Sequence, residues 1–283
     1  MWPFRSRSAR PTVAAPAPPD PFDLDVAIVS DVGNVREQNE DRGRCVRPGD
    51  AATLGQRGVL VLVADGMGGH EAGDVASATA ADVVAETYYA APGTPREALG
   101  RAFVSANARI HAAAAQPGRE GMGTTCTALA VRGAEAFWAH VGDSRLYRLR
   151  DGQIERLTTD HSMVEEMVAE GLLTPEEARH HDARNVITRA LGIRAETDPA
   201  LSGPLAVAPG DVFVLMSDGL YDLVDDAEIG HALEGGSAHA AAAVLVETAK
   251  ARGGYDNVTV AVVQVRTATA ARPARPTAEG PTS

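Results

Sequence analysis

Cysteine, aromatic residues and long apolar runs are all scarce in this chain. Its 283 residues include two cysteines, Cys45 and Cys126. They form no Cys-x-x-Cys pair and no Cys/His cluster, which argues against a zinc knuckle or a disulfide scaffold and fits a reducing, cytoplasmic setting. No apolar stretch approaches the roughly 18–20 residues needed to cross a bilayer, so no membrane partner is expected. The longest apolar runs, 58–64 and 212–216, are strand-sized. The arginine-bearing N-terminus has no apolar core of the kind a secretory signal needs. Positive charge is short as well: 26 Lys and Arg face 38 Asp and Glu, for a net charge of −12. The ends are basic, with Arg5, Arg7 and Arg10 against Asp20, and Arg272 and Arg275 against Glu279, so the body is more acidic than the total. Nucleic acid binding depends on basic side chains that release counterions, and this body lacks the charge for it. An anionic substrate would need positive charge from another source, and bound cations are the obvious one.

What the chain does have is ordinary globular composition, 45% hydrophobic and 23% charged. Its length suits one large domain or two small ones. Nine of its seventeen prolines fall in the two ends, which are also rich in Ala, Ser and Thr. Segments 1–22 and 267–283 therefore read as disordered tails. With no linker between them, 23–266 reads as one domain.

Strand-like runs occur at 25–30, 58–64, 125–131, 135–141, 145–150, 212–216 and 258–265. Helix-like runs occur at 74–89, 95–115, 162–170, 175–180, 226–234 and 238–252. Thr174, Pro175 and Glu177 spell a capping box with proline at the first helical position. Helices come in pairs and strands in hairpin-like groups, which predicts an α+β fold of antiparallel sheets with helices packed outside.

The most informative feature is where the aspartates fall. The run 58–64 leads into Asp65-Gly66-Met67-Gly68-Gly69-His70, the run 135–141 into Gly142-Asp143-Ser144-Arg145, and the run 212–216 into Ser217-Asp218-Gly219. Asp256-Asn257 precedes the last strand, and Asp41 lies downstream of the first. One Asp-Gly pair reads simply as a turn. Several at strand ends make a set of hard oxygen donors of the kind Mg²⁺ and similar ions prefer, with glycines that allow close backbone approach.

Eight motifs then occur in a set order. Val32-Gly33-Asn34-Val35-Arg36 with Asn39-Glu40-Asp41 comes first, then Asp65–His70, Gly121-Met122-Gly123-Thr124-Thr125 and Gly142–Arg145. Asp160-His161-Ser162, the segment 184–192, Ser217–Gly219 and Asp256-Asn257-Val258-Thr259 complete the series. In this order they resemble the bacterial PP2C-type (PPM) metal-dependent Ser/Thr phosphatases, over essentially all of 24–266.

The resemblance implies a four-layer α-β-β-α sandwich of two antiparallel sheets flanked by helices, with a flap at about 162–192. It implies a Mn²⁺/Mg²⁺ pair, with a third ion in bacterial members. Asp65 would bridge the pair, Gly66 would lend its carbonyl, and Asp218 and Asp256 would complete the first ion. Glu40 and Asp41 would hold metal-bound waters, and Asp143 with Asp218 would form the third site. Arg36 would clamp phosphate, since a guanidinium grips two oxygens at once. The implied reaction is hydrolysis of phosphoserine and phosphothreonine in proteins by a metal-activated water attacking phosphorus in line. The implied partners are a bacterial Ser/Thr kinase and its targets, and a monomer is expected. His161, His70 or a metal-bound water would protonate the leaving group; Met67 stands where eukaryotic relatives carry His.

Three other readings compete. Cys126 and Arg132 satisfy the C-x₅-R spacing of cysteine-dependent phosphatases, but the residues between them read as a buried strand without glycine. The segment 66–73 matches neither common nucleotide-loop pattern. A catalytically silent binding module would be expected to have lost ligands, and none of Asp65, Asp143, Asp218 and Asp256 is replaced.

Overall fold

The computed structural model describes residues 22–68 and 71–268; the rest of the two proline-rich ends and His70 lie outside them. The first half runs β1 Phe22–Asp31, β2 Asp41–Val46, α1 Ala51–Arg57, β3 Val59–Met67, α2 Glu71–Ala90, α3 Pro95–Ala114, β4 Gly123–Thr124, β5 Cys126–Arg132 and β6 Glu135–Val141. The second half runs β7 Arg145–Arg150, β8 Gln153–Arg156, α4 Met163–Ala169, α5 Pro175–Arg179, β9 Ala200–Ala206, β10 Val212–Met216, α6 Asp218–Tyr221, α7 Asp226–Leu233, α8 Ala238–Ala251 and β11 Val258–Thr267.

Two antiparallel sheets form the centre. One has the order β1-β11-β10-β7-β8; the other has β2-β3-β5-β6-β9, with β4 added beside β3. Period-two alternation decides what each strand packs against. In β3, Val59, Val61 and Val63 enter the core between the sheets with Leu129, Phe213 and Val263. The alternate residues Leu60, Leu62 and Ala64 face the layer that holds Tyr88, Leu99 and Phe103 of α2 and α3. In β11, Val258, Val260 and Val262 pack with Leu245 and Val246 of α8. Strands covered on both faces read as continuous apolar runs, and that is why they were visible in the sequence. The result is the expected four-layer α-β-β-α sandwich.

The strands the sequence did not reveal are β2, β4, β8 and β9. Apart from the two-residue β4, all are edge strands. An edge strand is half solvated and carries charge, as in Asp41-Arg42-Gly43-Arg44 of β2, so its apolar signal is weak. The short helices α1 and α6 were also missed. Asp65 does not end its strand as expected. β3 continues to Met67 because Gly66 and Met67 pair with Thr124 and Gly123 of β4. Asp41, expected after the first strand, opens β2 and lies opposite Asp65 in the ladder.

Candidate metal centre

The two sheets bring their acidic residues to one end of the sandwich. Pairing of β2 with β3 sets Asp41 beside Asp65. Pairing of β10 with β11 sets Met216 opposite Val260, so Ser217-Asp218 leaves one strand beside the point where Asp256-Asn257 enters the next. The turn from β6 to β7 carries Asp143. Asp65 is held on both sides: its N–H donates to Thr125 Oγ1 at 3.1 Å and its carbonyl accepts from Thr124 Oγ1 at 2.8 Å.

Asn257 organises the loop that carries Arg36 and Glu40. Its Nδ2 donates to the carbonyls of Val32 (3.0 Å) and Gln38 (2.9 Å), and its Oδ1 accepts from the Glu40 N–H at 2.8 Å. Ser217 links the sheets, donating from Oγ to Asp41 Oδ2 at 2.7 Å while accepting from the Thr259 N–H at 3.0 Å. No role had been expected for Asn257, Ser217 or Thr125. For Ser217 and Asn257 the available signal was a polar residue beside an aspartate where an apolar strand ends or begins; Thr125 has no aspartate beside it in the sequence. Glycine is required at Gly66, where a Cβ would come within 2.2 Å of the Gly73 carbonyl oxygen and 2.7 Å of that of Glu40.

The carboxylates disturb one another. Burial, then Asp41, Asp218, Asp143 and Asp256, push the Asp65 carboxyl well above its ordinary range. Asp218 is raised in the same way, by burial, Asp143 and Asp256. Burial lifts Asp41 to about 6 and Asp143 to about 7. Asp41 and Asp143 are 1% and 4% exposed, and in each Oδ1 is buried without a hydrogen-bond partner. Concentrated negative charge with orphaned oxygens is costly unless a cation joins it.

Arg36 is the nearest positive group to make a direct contact. Its guanidinium donates to Asp256 Oδ2 at 2.6 Å. With Asp256 held by Arg36 and Asp41 by Ser217, no three His, Cys, Asp or Glu side chains among the described residues make a ready metal cage. The donor chemistry nevertheless fits hard divalent ions: the donors are all oxygens, they carry excess charge, and two of those oxygens have no partner. The structure thus gathers Asp41, Asp65, Asp143, Asp218 and Asp256, places Arg36 at Asp256, and keeps Glu40 and Gly66 backbone-bonded to each other at 3.2 Å.

His161 lies against the turn that carries Asp143. Its N–H donates to the Gly142 carbonyl at 2.7 Å, and its Nδ1 accepts from the Gly142 N–H at 3.1 Å. The Thr188 N–H donates to its carbonyl at 2.8 Å. The ring lies 4.9 Å from that of His140. Burial, then Arg189, lower its pKa, so the charged form is scarce at neutral pH. These bonds tie His161 to Thr188 and to the turn that carries Asp143. Cys126 is fully buried in β5 and burial pushes its thiol up, which leaves no thiolate for a cysteine mechanism.

The family model described as Protein phosphatase 2C matches residues 40–251. The serine/threonine protein phosphatase PstP of Mycobacterium tuberculosis is 42% identical over 246 residues, covering 86% of this chain and 45% of that longer protein. The protein phosphatase PhpP of Streptococcus pneumoniae is 34% identical over 247 residues, covering 86% of this chain and 98% of PhpP. A crystal structure of the PstP catalytic domain in complex with two manganese ions superimposes with a TM-score of 0.75 at 39% identity, covering 87% of this chain and 99% of that one.

Proposed function

The chain belongs to the protein phosphatase 2C family, and from that premise we propose that it removes phosphate from phosphoserine and phosphothreonine in proteins at the acidic end of its sandwich. The observation that carries this reading is the shared cluster of Asp41, Asp65, Asp143 and Asp218, buried carboxylates that make no ion pair among the described residues. Asp65, Asp218 and Asp256, with the Gly66 carbonyl, would hold two Mn²⁺ or Mg²⁺ ions. Glu40 and Asp41 would orient water around them, and Asp143 with Asp218 would take a third. Bound there, the ions supply an activated water for in-line attack and charge to offset the phosphoryl oxygens.

The protein's own groups do the rest. Arg36, with its side chain 54% exposed at the rim, grips two phosphoryl oxygens and sets the phosphorus in line. Asn257 fixes the loop from which Arg36 projects. His161 keeps its proton on Nε2, because Nδ1 accepts from Gly142, and so ties the flap to the turn that bears Asp143. The physiological role that follows is reversal of Ser/Thr kinase signalling in the cytoplasm.

The test is turnover of p-nitrophenyl phosphate and of a phosphothreonine peptide by the purified chain, with and without Mn²⁺. Mn²⁺-dependent release of phosphate that Asp65→Asn abolishes is expected. A folded protein with no such turnover would leave only the silent binding module.

A further inference from the structure

Asp65 sits at a break in its ladder. β3 pairs with β5 as far as Val63 opposite Thr127, and with β4 from Gly66 opposite Thr124. In the gap the Asp65 carbonyl accepts from the Thr125 N–H at 2.8 Å. The Asp65 N–H goes instead to a side chain, Thr125 Oγ1, at 3.1 Å. A hydroxyl therefore does at Asp65 what a strand carbonyl does elsewhere in the ladder.

Thr125 is held in its turn by the loop that bears Asp143. Its Oγ1 lies 2.5 Å from Ser144 Oγ, and both residues are fully buried. The loop also packs directly on Thr125: a Cβ at Gly142 would come within 2.5 Å of the Thr125 Cβ. Thr127 secures the loop from below, donating from Oγ1 to the Ser144 carbonyl at 2.8 Å. Asp65 N–H, Thr125 Oγ1 and Ser144 Oγ thus form a continuous chain from the backbone of one carboxylate to the residue beside the other.

We infer that Ser144 is a positioning residue, which acts through Thr125 to fix Asp65 relative to Asp143. The inference rests on the metal-centre reading above and goes beyond it, because neither hydroxyl is placed among the ion's own donors. Partners one step behind a metal ligand set the direction in which that ligand points, and ion affinity falls when they are lost. Without the Ser144 hydroxyl, Thr125 keeps its place in the chain but loses the bond that sets its rotamer. The Asp65 N–H then has an acceptor free to turn away from it. The alternative is that two buried hydroxyls merely satisfy each other, in which case their removal lowers stability and leaves ion binding in the folded protein unchanged.

The experiment titrates the full chain with Mn²⁺ by calorimetry, with folding of each variant checked by urea unfolding in EDTA. Ser144→Ala and Thr125→Val are expected to bind Mn²⁺ about tenfold to a hundredfold more weakly. Thr125→Ser keeps the hydroxyl and should restore most of the affinity. Ser144→Cys returns a weaker partner and should fall between the wild type and Ser144→Ala; it carries the test should the alanine variant not fold. The double variant Ser144→Ala/Thr125→Val should lose little more than Thr125→Val alone, because the two act as one chain. Asp211→Asn, altered at the opposite end of β10 from Asp218, should keep wild-type affinity per folded molecule, so that lost stability alone does not move the readout. Unchanged Mn²⁺ affinity in folded Ser144→Ala or Ser144→Cys overturns the inference. So do losses that add in full in the double variant, or a Thr125→Ser that binds no better than Thr125→Val. Any of these with wild-type turnover of p-nitrophenyl phosphate intact leaves the phosphatase reading standing; no Mn²⁺-dependent turnover in the wild type sinks that reading itself.

Discussion

This protein treats its buried carboxylates in two opposite ways. Asp160 is 6% exposed and is clasped by Arg145 through three hydrogen bonds of 2.7 to 3.2 Å, with Arg156 a further 3.5 Å away. Asp211, 1% exposed, is gripped by both Nε and Nη2 of Arg150 at 2.5 Å and caps a turn through the Ala208 N–H. Those acids are structural, and the sequence supplies each with its own cation. A short way off, Asp41, Asp65, Asp143 and Asp218 share one end of the sandwich and make no ion pair among the described residues; burial raises all four, and neighbouring carboxylates add to it most in Asp65 and Asp218. A chain that can pair buried acids and leaves four unpaired has reserved them for a partner from outside.

The widest gap between the two regions should appear when one acid in each is neutralised. Asp218→Asn should abolish Mn²⁺-dependent turnover yet leave the metal-free protein as stable as before or more so, because it removes a charge from a repulsive group. Asp160→Asn should instead cost about 3–5 kcal/mol, because Arg145 stays behind, mostly buried and unpaired. Urea unfolding of the two variants in EDTA reads this directly. Destabilisation of both to the same degree would erase the distinction.

Adding Mn²⁺ sharpens the comparison further. At a hundred times its dissociation constant a ligand adds about 2.7 kcal/mol. In a chain of this size that is a rise of about 5–10 °C in melting temperature. Thermal scans should show the rise in the wild type and in Asp211→Asn, and lose most of it in Asp65→Asn.

The effect of pH separates the acidic end from the histidine beneath it. Burial, then His161, lower His140 to about 3 from an ordinary 6.5. Its folded pKa is below its unfolded one, so the folded state favours the neutral ring. That contribution is complete above pH 6.5 and is lost as pH falls from there towards 3. The aspartate cluster has the opposite sign. Its folded pKa values lie above the ordinary 3.8, so its penalty in metal-free protein is relieved as pH falls below about 7. His140→Phe removes the first effect alone. Between pH 7 and pH 5 it should lose about 2 kcal/mol less than the wild type does, at about 1.4 kcal/mol per unit. Parallel stability–pH curves would refute this assignment.

Least affected should be Cys126→Ser. The thiol lies in the core under α2 and α3, so turnover per folded molecule should stay within about twofold even if the buried hydroxyl lowers stability by about 1–3 kcal/mol. Loss of turnover in a folded variant would reopen the cysteine mechanism.

Much of this was legible in the chain. Covered strands such as β3 and β11 announced themselves because both faces are buried and nearly every residue is apolar. Helix α5 did so through its Thr174–Glu177 capping box, which forms as read. The edge strands β2, β8 and β9 were hidden by their exposure. The aspartates were visible as residues beside strands, but the sequence could not show which would be paired: Asp160 and Asp143 are 17 residues apart, of one chemical type, and opposite in fate.

The sequence by itself determined the layers and the supply of oxygen donors, because alternation and turn chemistry are local and each strand carries its own instructions. Tertiary structure alone decided the neighbours. Asp41 meets Asp65 only through a ladder, Asn257 reaches a loop more than two hundred positions earlier, and Arg145 falls to Asp160 while Asp218 makes no ion pair among the described residues. Charge interactions depend on distance in space and on the water removed between groups, and neither quantity exists until the sheets have closed on each other.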